Sequence, residues 1–323
     1  MPAEPVIYIA TRGSALALAQ ANNVLAQCRA AFPVRAFELK IIKTTGDKLQ
    51  TASLAKEGES LPKGLFTKEL EIALLENEAD LAVHSLKDLP TELPEKLTLG
   101  AVGKRADVRD VLIYRAAGAS VGRGFKLAHA IKDFPPGAVV GTSSTRRKAQ
   151  LLAHRADLKI IDHRGNVLTR IEKLAARADL DAIVLAAAGL ARLNFQIAAD
   201  GILSGPGVPT GLLATILEPE VMLPCVGQGA IGIEIRENDE RIAAVCEKLN
   251  HVPTQVCVTA ERAFLAAMGG GCQSPVAAYG ELIGEQLRLR AVSFRDGPVR
   301  ITEGHAAPKE AAELGRRLAN ELK

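Results

Sequence analysis

Two adjacent arginines fall in the first turn of an amphipathic run in Gly141-Thr-Ser-Ser-Thr-Arg-Arg-Lys148, directly after the apolar Val139 and Val140. Cations at that position oppose the positive end of a helix dipole, so helix propensity does not select them. Ser143 and Ser144 offer hydroxyl and main-chain donors to an anion at a helix start, and Arg146 and Arg147 add planar, bidentate carboxylate contacts. A second cationic turn follows as His163-Arg164-Gly165-Asn166, with Arg170 one helical turn further on. Residues 141–170 hold seven Lys/Arg against only Asp157 and Asp162, whereas the whole chain of 323 residues has a net charge of +3. The cationic excess is therefore local, and its chemistry suits a small polyanionic ligand.

A carboxylate and a thiol complete the reactive set. Asp88 follows Lys87 and precedes Leu89-Pro90, a context that holds the backbone in a fixed loop. Among cations, one such carboxylate suits a cationic intermediate or a proton relay, and its plainer alternative is a salt bridge to Lys87. Cys272 sits in Gly269-Gly-Gly-Cys-Gln-Ser-Pro275, where the glycines open backbone conformations closed to other residues. That loop presents a sulfur for attachment or nucleophilic attack, while Cys28 and Cys257 read as small buried hydrophobes. His84 and His163 lack metal-ligand spacing and read as hydrogen-bonding structural groups. Gly227-Gln-Gly229 lacks the flanks of a dinucleotide fingerprint, and residues 141–148 lack the Gly-Lys-Ser/Thr of a P-loop.

Short apolar runs alternate with helical patterns and carry these residues at their ends. Strands are expected at 6–10, 37–42, 80–83, 138–140, 159–161 and 182–186, and helices at 15–30 (with Ser14 as N-cap), 65–76, 145–155 and 167–176. The alternation implies parallel sheets flanked by helices, with ligands at the carboxyl ends of the strands. Two such lobes would bring Arg12, Ser14, Lys87, Asp88, Ser143, Ser144, Arg146, Arg147, Arg164 and Arg170 to one cleft. Beyond about residue 236 the pattern changes to a helix at 259–268, antiparallel strands near 276–279, 286–293 and 299–304 with an Asp296-Gly297 hairpin signal, and a closing helix at 309–323.

Composition narrows the function classes. Hydrophobic residues make up 48%, which argues against disorder, and 3% aromatics leave few stacking surfaces for bases, so no nucleic-acid partner is expected. The amino-terminal residues lack a signal-peptide pattern and the longest apolar stretch, around 182–188, is too short to span a bilayer, so a cytoplasmic protein without membrane attachment is expected. Five cysteines with no paired spacing indicate neither a disulfide framework nor a metal site.

Taken together, Ala10-Thr-Arg-Gly-Ser14 with Gln20, Lys63-Gly-Leu-Phe66, Ala82-Val-His-Ser85 with Lys87-Asp88, Gly141-Thr-Ser-Ser144 with Arg146-Arg147, Arg164-Gly-Asn166, Ala188-Gly-Leu190, Val226-Gly-Gln-Gly-Ala230, Thr259-Ala-Glu-Arg262 and Gly270-Gly-Cys-Gln273 resemble the porphobilinogen deaminase (hydroxymethylbilane synthase) family, in order across nearly the whole chain. The resemblance implies a tetrapyrrole-pathway transferase that joins four porphobilinogens head to tail with release of ammonia. It also implies a dipyrromethane cofactor fixed by a thioether to Cys272, and Asp88 as the catalytic aspartate. Lys87, Asp88, Ser143, Ser144, Arg146, Arg147, Arg164 and Gly165 match cofactor-binding positions; Arg12, Ser14, Gln20, Arg164, Arg170 and Arg192 match substrate-binding positions. The implied fold is two periplasmic-binding-protein-like doubly wound lobes, 1–107 with 216–236 and 108–215, plus a small C-terminal α+β domain, 237–323, with a three-stranded antiparallel sheet; a monomer is implied. Two departures from the family pattern stand out. Glu-Gly-Glu-Ser-Leu-Pro separates Lys56 from Lys63, and 193–222 is longer than usual. Residues 49–63, lacking an apolar face, are expected to form a lid over the cleft with Lys56, Lys63 and Phe66. The competing classes are a non-catalytic two-lobed binder of a small polycarboxylate, which needs no thiol on a glycine loop, and a phosphate-binding transferase.

Overall fold

The computed structural model describes residues 5–46, 66–126, 130–271, 274–295 and 297–323. Lys56, Lys63, Cys272, Asp296 and the expected lid at 49–63 lie outside the described residues.

The first sheet has the order β2-β1-β3-β12-β4, built from β1 (Ile7–Arg12), β2 (Phe37–Ile42), β3 (Leu81–Ser85), β4 (Leu97–Val102) and β12 (Ile231–Arg236). The second has the order β11-β5-β8-β6-β7, from β5 (Asp110–Arg115), β6 (Val139–Gly141), β7 (Lys159–Ile161), β8 (Ala182–Ala186) and β11 (Leu212–Leu217). Neither sheet is purely parallel, which corrects the sequence expectation. In the first, β12 runs antiparallel to both β3 and β4; in the second, β5 runs antiparallel to β8 and β11. These are the strands on which the chain arrives from the other lobe, so it enters each sheet from the cleft edge. Ile231 consequently pairs with Ser85, and Asp110 with Ala186: the first residue of each arriving strand lies beside the last residue of a departing one.

The helices form where capping and apolar spacing agree. Ala15–Ala31 begins at Ser14, whose hydroxyl accepts from the Ala17 N–H, and buries Ala17, Gln20, Ala21, Val24, Leu25 and Cys28 along one stripe. Val24 and Leu25 join Ile7, Ile9, Leu81 and Val83 in the core, each worth about 1.5–3 kcal/mol when fully buried. The helix Lys68–Leu75 covers the same sheet with Leu70 and Leu74. In the second lobe, Thr145–His154 and Val167–Ala176 are capped by Ser144 and Asn166. The long 193–222 stretch contains a two-stranded ribbon, β9 (Gln196–Ile197) with β10 (Leu203–Ser204), that seals Phe195 and Leu203 into the core of this lobe.

The C-terminal unit is the antiparallel sheet β13 (Val276–Ile283), β14 (Gln286–Ser293) and β15 (Arg300–Ala306), covered by Val252–Ala267 and Ala311–Glu321. The first of these helices starts seven residues earlier than its expected start at 259, because His251 caps it and Pro253 is tolerated in an opening turn. Among the described residues no helix is long and apolar enough to cross a membrane.

Candidate functional site

Parallel neighbours release their chains at one sheet edge. From β1 the chain leaves through Arg12 and Ser14, and from β3 through Ser85, Leu86, Lys87 and Asp88, the last three forming a single 3-10 turn. Gln20, buried on the adjacent helix, donates to Ser85 Oγ (2.8 Å) and steadies the start of that turn. Arg262 of the C-terminal unit donates to the carbonyls of Leu89 (3.2 Å) and Pro90 (2.6 Å), steadying its end. Asp88 is exposed and Lys87 half-buried.

Facing them is the cationic set of the second lobe. Burial holds the Arg170 guanidinium down at about 10, with Arg147 adding to that shift and Asp88 opposing it, and Arg164 adding again. Burial also lowers Lys87, reinforced by Arg147 and opposed by Asp88, Cys225 and Asp110. These mutual fields place Lys87, Asp88, Arg147, Arg164 and Arg170 around one region. Ser143 Oγ accepts from the His163 N–H (3.0 Å), Arg170 Nε donates to the Gly165 carbonyl (2.7 Å), and Arg164 pairs loosely with Asp162 (3.3 Å). Arg12 stacks its guanidinium over the Phe66 ring, 4.2 Å from the centroid. Arg192 bridges toward the first lobe by donating to the Gly229 carbonyl (2.7 Å), and burial alone lowers it to about 10.

Arg146 and Arg147 lie deeper than the rest. Both are almost fully buried, and Asp110 takes Arg146 Nη2 on Oδ2 (2.7 Å) and Arg147 Nη2 on Oδ1 (2.6 Å). Arg146 also donates to the Leu223 carbonyl (2.7 Å) and Arg147 to that of Val184 (2.8 Å). Burial works against the Asp110 carboxylate, yet the two guanidinium groups hold its pKa far below the usual carboxylate range. The arginines are thus anchored by a protein carboxylate at the base of the site, and Arg146 Nε is a buried N–H with no hydrogen-bond partner among the described residues.

Asp110 escapes a reading by motif, and Gln228, although within the Val226-Gly-Gln-Gly-Ala230 match, is given no role by it. Fully buried Gln228 donates to Asp110 Oδ1 (3.0 Å) and the Val108 carbonyl (2.7 Å), while its Oε1 accepts from Lys87 Nζ (3.3 Å). It therefore links the Lys87–Asp88 turn of one lobe to the arginine anchor of the other. Its flanking Gly227 (φ 71°) and Gly229 (φ 84°) adopt the left-handed region, and a Cβ on Gly229 would stand 2.7 Å from the Ala106 carbonyl oxygen. The one available signal was a polar residue between two glycines ahead of an apolar strand; nothing local distinguishes Asp110.

Glu261 fastens the C-terminal unit to this hinge. Fully buried, it accepts from Arg105 (2.6 and 3.0 Å), the Gly227 N–H (2.8 Å) and the Gly280 N–H (2.9 Å). Its helix ends at Ala267 and leads toward Cys272, and Arg295 bonds both described flanks of that residue, the Met268 carbonyl and Ser274 Oγ. Cys28 and Cys257 are buried thiols raised to about 11, as expected of small hydrophobes, and burial is the leading cause. His84 bonds Glu234 (3.0 Å) and His163 bonds the Arg170 carbonyl (2.9 Å). Among the described residues no group of three or more His, Cys, Asp or Glu is arranged to hold a metal ion.

Residues 7–244 match the family model described as porphobilinogen deaminase, dipyromethane cofactor binding domain, and residues 255–323 match its C-terminal domain. The porphobilinogen deaminases of Syntrophomonas wolfei and Desulforudis audaxviator are 42% and 44% identical to the chain, each over 98% of it and 94% of the relative. The chloroplastic porphobilinogen deaminase of Euglena gracilis is 46% identical over 88% of the chain and 55% of the relative.

Proposed function

The chain belongs to the porphobilinogen deaminase family, and from that premise we propose how its own residues carry the reaction. It is a transferase, a hydroxymethylbilane synthase of tetrapyrrole biosynthesis, which condenses four porphobilinogens with loss of ammonia and works with a dipyrromethane cofactor. The observation that carries the residue roles is the convergence of Asp88 with Lys87, Arg147, Arg164 and Arg170 between two lobes.

The donor set fits the cofactor's chemistry, because guanidinium, ammonium and hydroxyl donors suit a ligand bearing several carboxylates. We assign Lys87, Ser143, Ser144, Arg146, Arg147, Arg164 and Gly165 to holding it, with its thioether on Cys272. When bound, the dipyrromethane supplies the free pyrrole α-carbon that starts the chain. Arg12, Ser14, Gln20, Arg164, Arg170 and Arg192 receive the acetate and propionate arms of incoming porphobilinogen. Asp88 stabilises the positive charge that develops on the porphobilinogen pyrrole as its C–N bond breaks and ammonia leaves; after the new C–C bond forms, the same carboxylate accepts the α-carbon proton. Phe66 holds Arg12, and Lys56 and Lys63 belong to a cover over the cleft. The units of the fold are assigned to 1–107 with 216–236, 108–215 and 237–323. We further infer a cytoplasmic monomer with no nucleic-acid partner, the last supported by 3% aromatics and a net charge of +3.

The test is the intact mass of purified protein together with turnover of porphobilinogen. Wild type exceeds its sequence mass by one dipyrromethane, and Cys272→Ala has the unmodified mass and makes no linear tetrapyrrole. An adduct retained by Cys272→Ala would remove that residue from the assignment; tight ligand binding without turnover by wild type would favour the two-lobed binder.

A further inference from the structure

We propose that His163 is a positioning residue for substrate binding, setting Ser143 and Arg170 for the ligand's carboxylates; this rests on the roles given above to those two residues. His163 lies just beyond β7, is 2% exposed, and touches three elements that reach the cleft. Its main-chain N–H donates to Ser143 Oγ (3.0 Å), which occupies an acceptor site on the hydroxyl and leaves the Ser143 proton for an anion. Its ring Nε2 lies 2.9 Å from the Arg170 carbonyl, and since a carbonyl only accepts, Nε2 carries the proton. The ring packs on β6 at Gly141, where a Cβ would come within 2.9 Å of His163 Cγ, so ring and glycine are matched in shape.

The rest of the turn is closed onto the same helix: Arg170 Nε on the Gly165 carbonyl (2.7 Å), Lys173 Nζ on the Arg164 carbonyl (2.9 Å) and the Thr169 N–H on Asn166 Oδ1 (2.9 Å). His163 is the member that connects this helix to Ser143, and so couples two donors carried by different strand-end loops. The ring is surrounded by cations. Burial lowers its pKa, the bond to the Arg170 carbonyl opposes that, and Arg170, Lys173 and Arg177 lower it further; Asp162 and Arg164 of its own turn pair with each other. A neutral ring, donating through Nε2, is the form these surroundings favour.

Steady-state kinetics with porphobilinogen and urea unfolding decide the matter for His163→Leu, His163→Gln and Arg170→Leu. Losing one buried donor in His163→Leu is expected to raise KM about tenfold while kcat stays within about threefold. His163→Gln, which restores an amide donor, recovers most of that loss. Combining His163→Leu with Arg170→Leu gives less than the product of the two single effects, because the imidazole acts on the ligand through the residue whose carbonyl it holds. An unchanged KM in His163→Leu, or fully multiplicative effects in the double variant, would overturn the proposal. So would an equal fall in kcat and unfolding midpoint with KM unmoved, which is what a purely structural histidine gives. Should His163→Leu fail to fold, His163→Phe, which keeps a ring against Gly141 without the donor, takes its place in the cycle with Arg170→Leu. Wild type serves as the control for the underlying assignment: if it neither carries the adduct nor turns over porphobilinogen, the failure lies there and not with His163.

Discussion

Replacing Asp110 removes the one carboxylate shared by Arg146 and Arg147, and the consequence follows from burial. Both guanidinium groups are almost fully buried, and Asp110 itself is 0% exposed while accepting from Arg146, Arg147 and Gln228. Breaking a buried pair by deleting one partner costs about 3–5 kcal/mol, since the surviving charge is left without compensation. Two cations are stranded here, so Asp110→Ala is placed at about 5 kcal/mol, and Asp110→Asn, which keeps an acceptor oxygen, at about 3 kcal/mol. Urea unfolding of cofactor-free protein reads the difference as a shift in midpoint, with the slope compared to confirm that the transition is unchanged in kind. The pH dependence gives an independent readout. The folded pKa of Asp110 is depressed, so its stabilisation is present above the unfolded value of about 3.9 and is lost as pH falls toward the folded one. Wild type and Asp110→Asn should therefore differ by a constant amount above about pH 5 and draw together progressively as pH falls below about 4. An Asp110→Asn midpoint within about 1 kcal/mol of wild type at pH 7 would refute the reasoning, because it would mean the arginines find solvent or another carboxylate at little cost.

Asp88→Asn keeps size and loop geometry but loses the charge and the proton acceptor, so turnover should fall by about 10²- to 10⁴-fold with the fold intact; quenched-flow assay of ammonia release checks this, and a rate within tenfold of wild type would take Asp88 out of the chemistry. Phe66→Leu removes the ring under Arg12, a contact between two half-buried groups worth about 1 kcal/mol, so KM should rise about fivefold with kcat nearly constant. Phe66→Tyr should restore the lost affinity, and its failure to do so would show that the stacking is incidental.

Much of the local structure was legible in the chain because its signals are local. Ser14 announces its helix as an N-cap, the helices at 145 and 167 start where expected, Phe37–Ile42 is a strand as expected, and Lys159–Ile161 and Ala182–Ala186 coincide with apolar runs. β4, β5, β11, β12 and the helix Glu240–Leu249 lie outside the sequence expectations. β5 is buried on both faces, which erases the alternation that marks a strand, whereas β12 alternates Ile231, Ile233 and Ile235 with Gly232, Glu234 and Arg236, so its period-2 signal stood in the sequence.

The residue types of the cationic cleft, Asp88 at a strand end, and the family motifs are properties of the chain alone. What binds the cleft into one body is not. Asp110 meets Arg146 and Arg147 because β5 enters its sheet antiparallel and starts where β8 ends; Gln228 meets Lys87 because β12 does the same beside β3. Each of these contacts joins residues 36 to 141 positions apart, and periodicity, capping and turn chemistry act over a few residues. Only the packed sheets, by fixing strand direction and order, bring one carboxylate and one amide to the places where buried charge requires them.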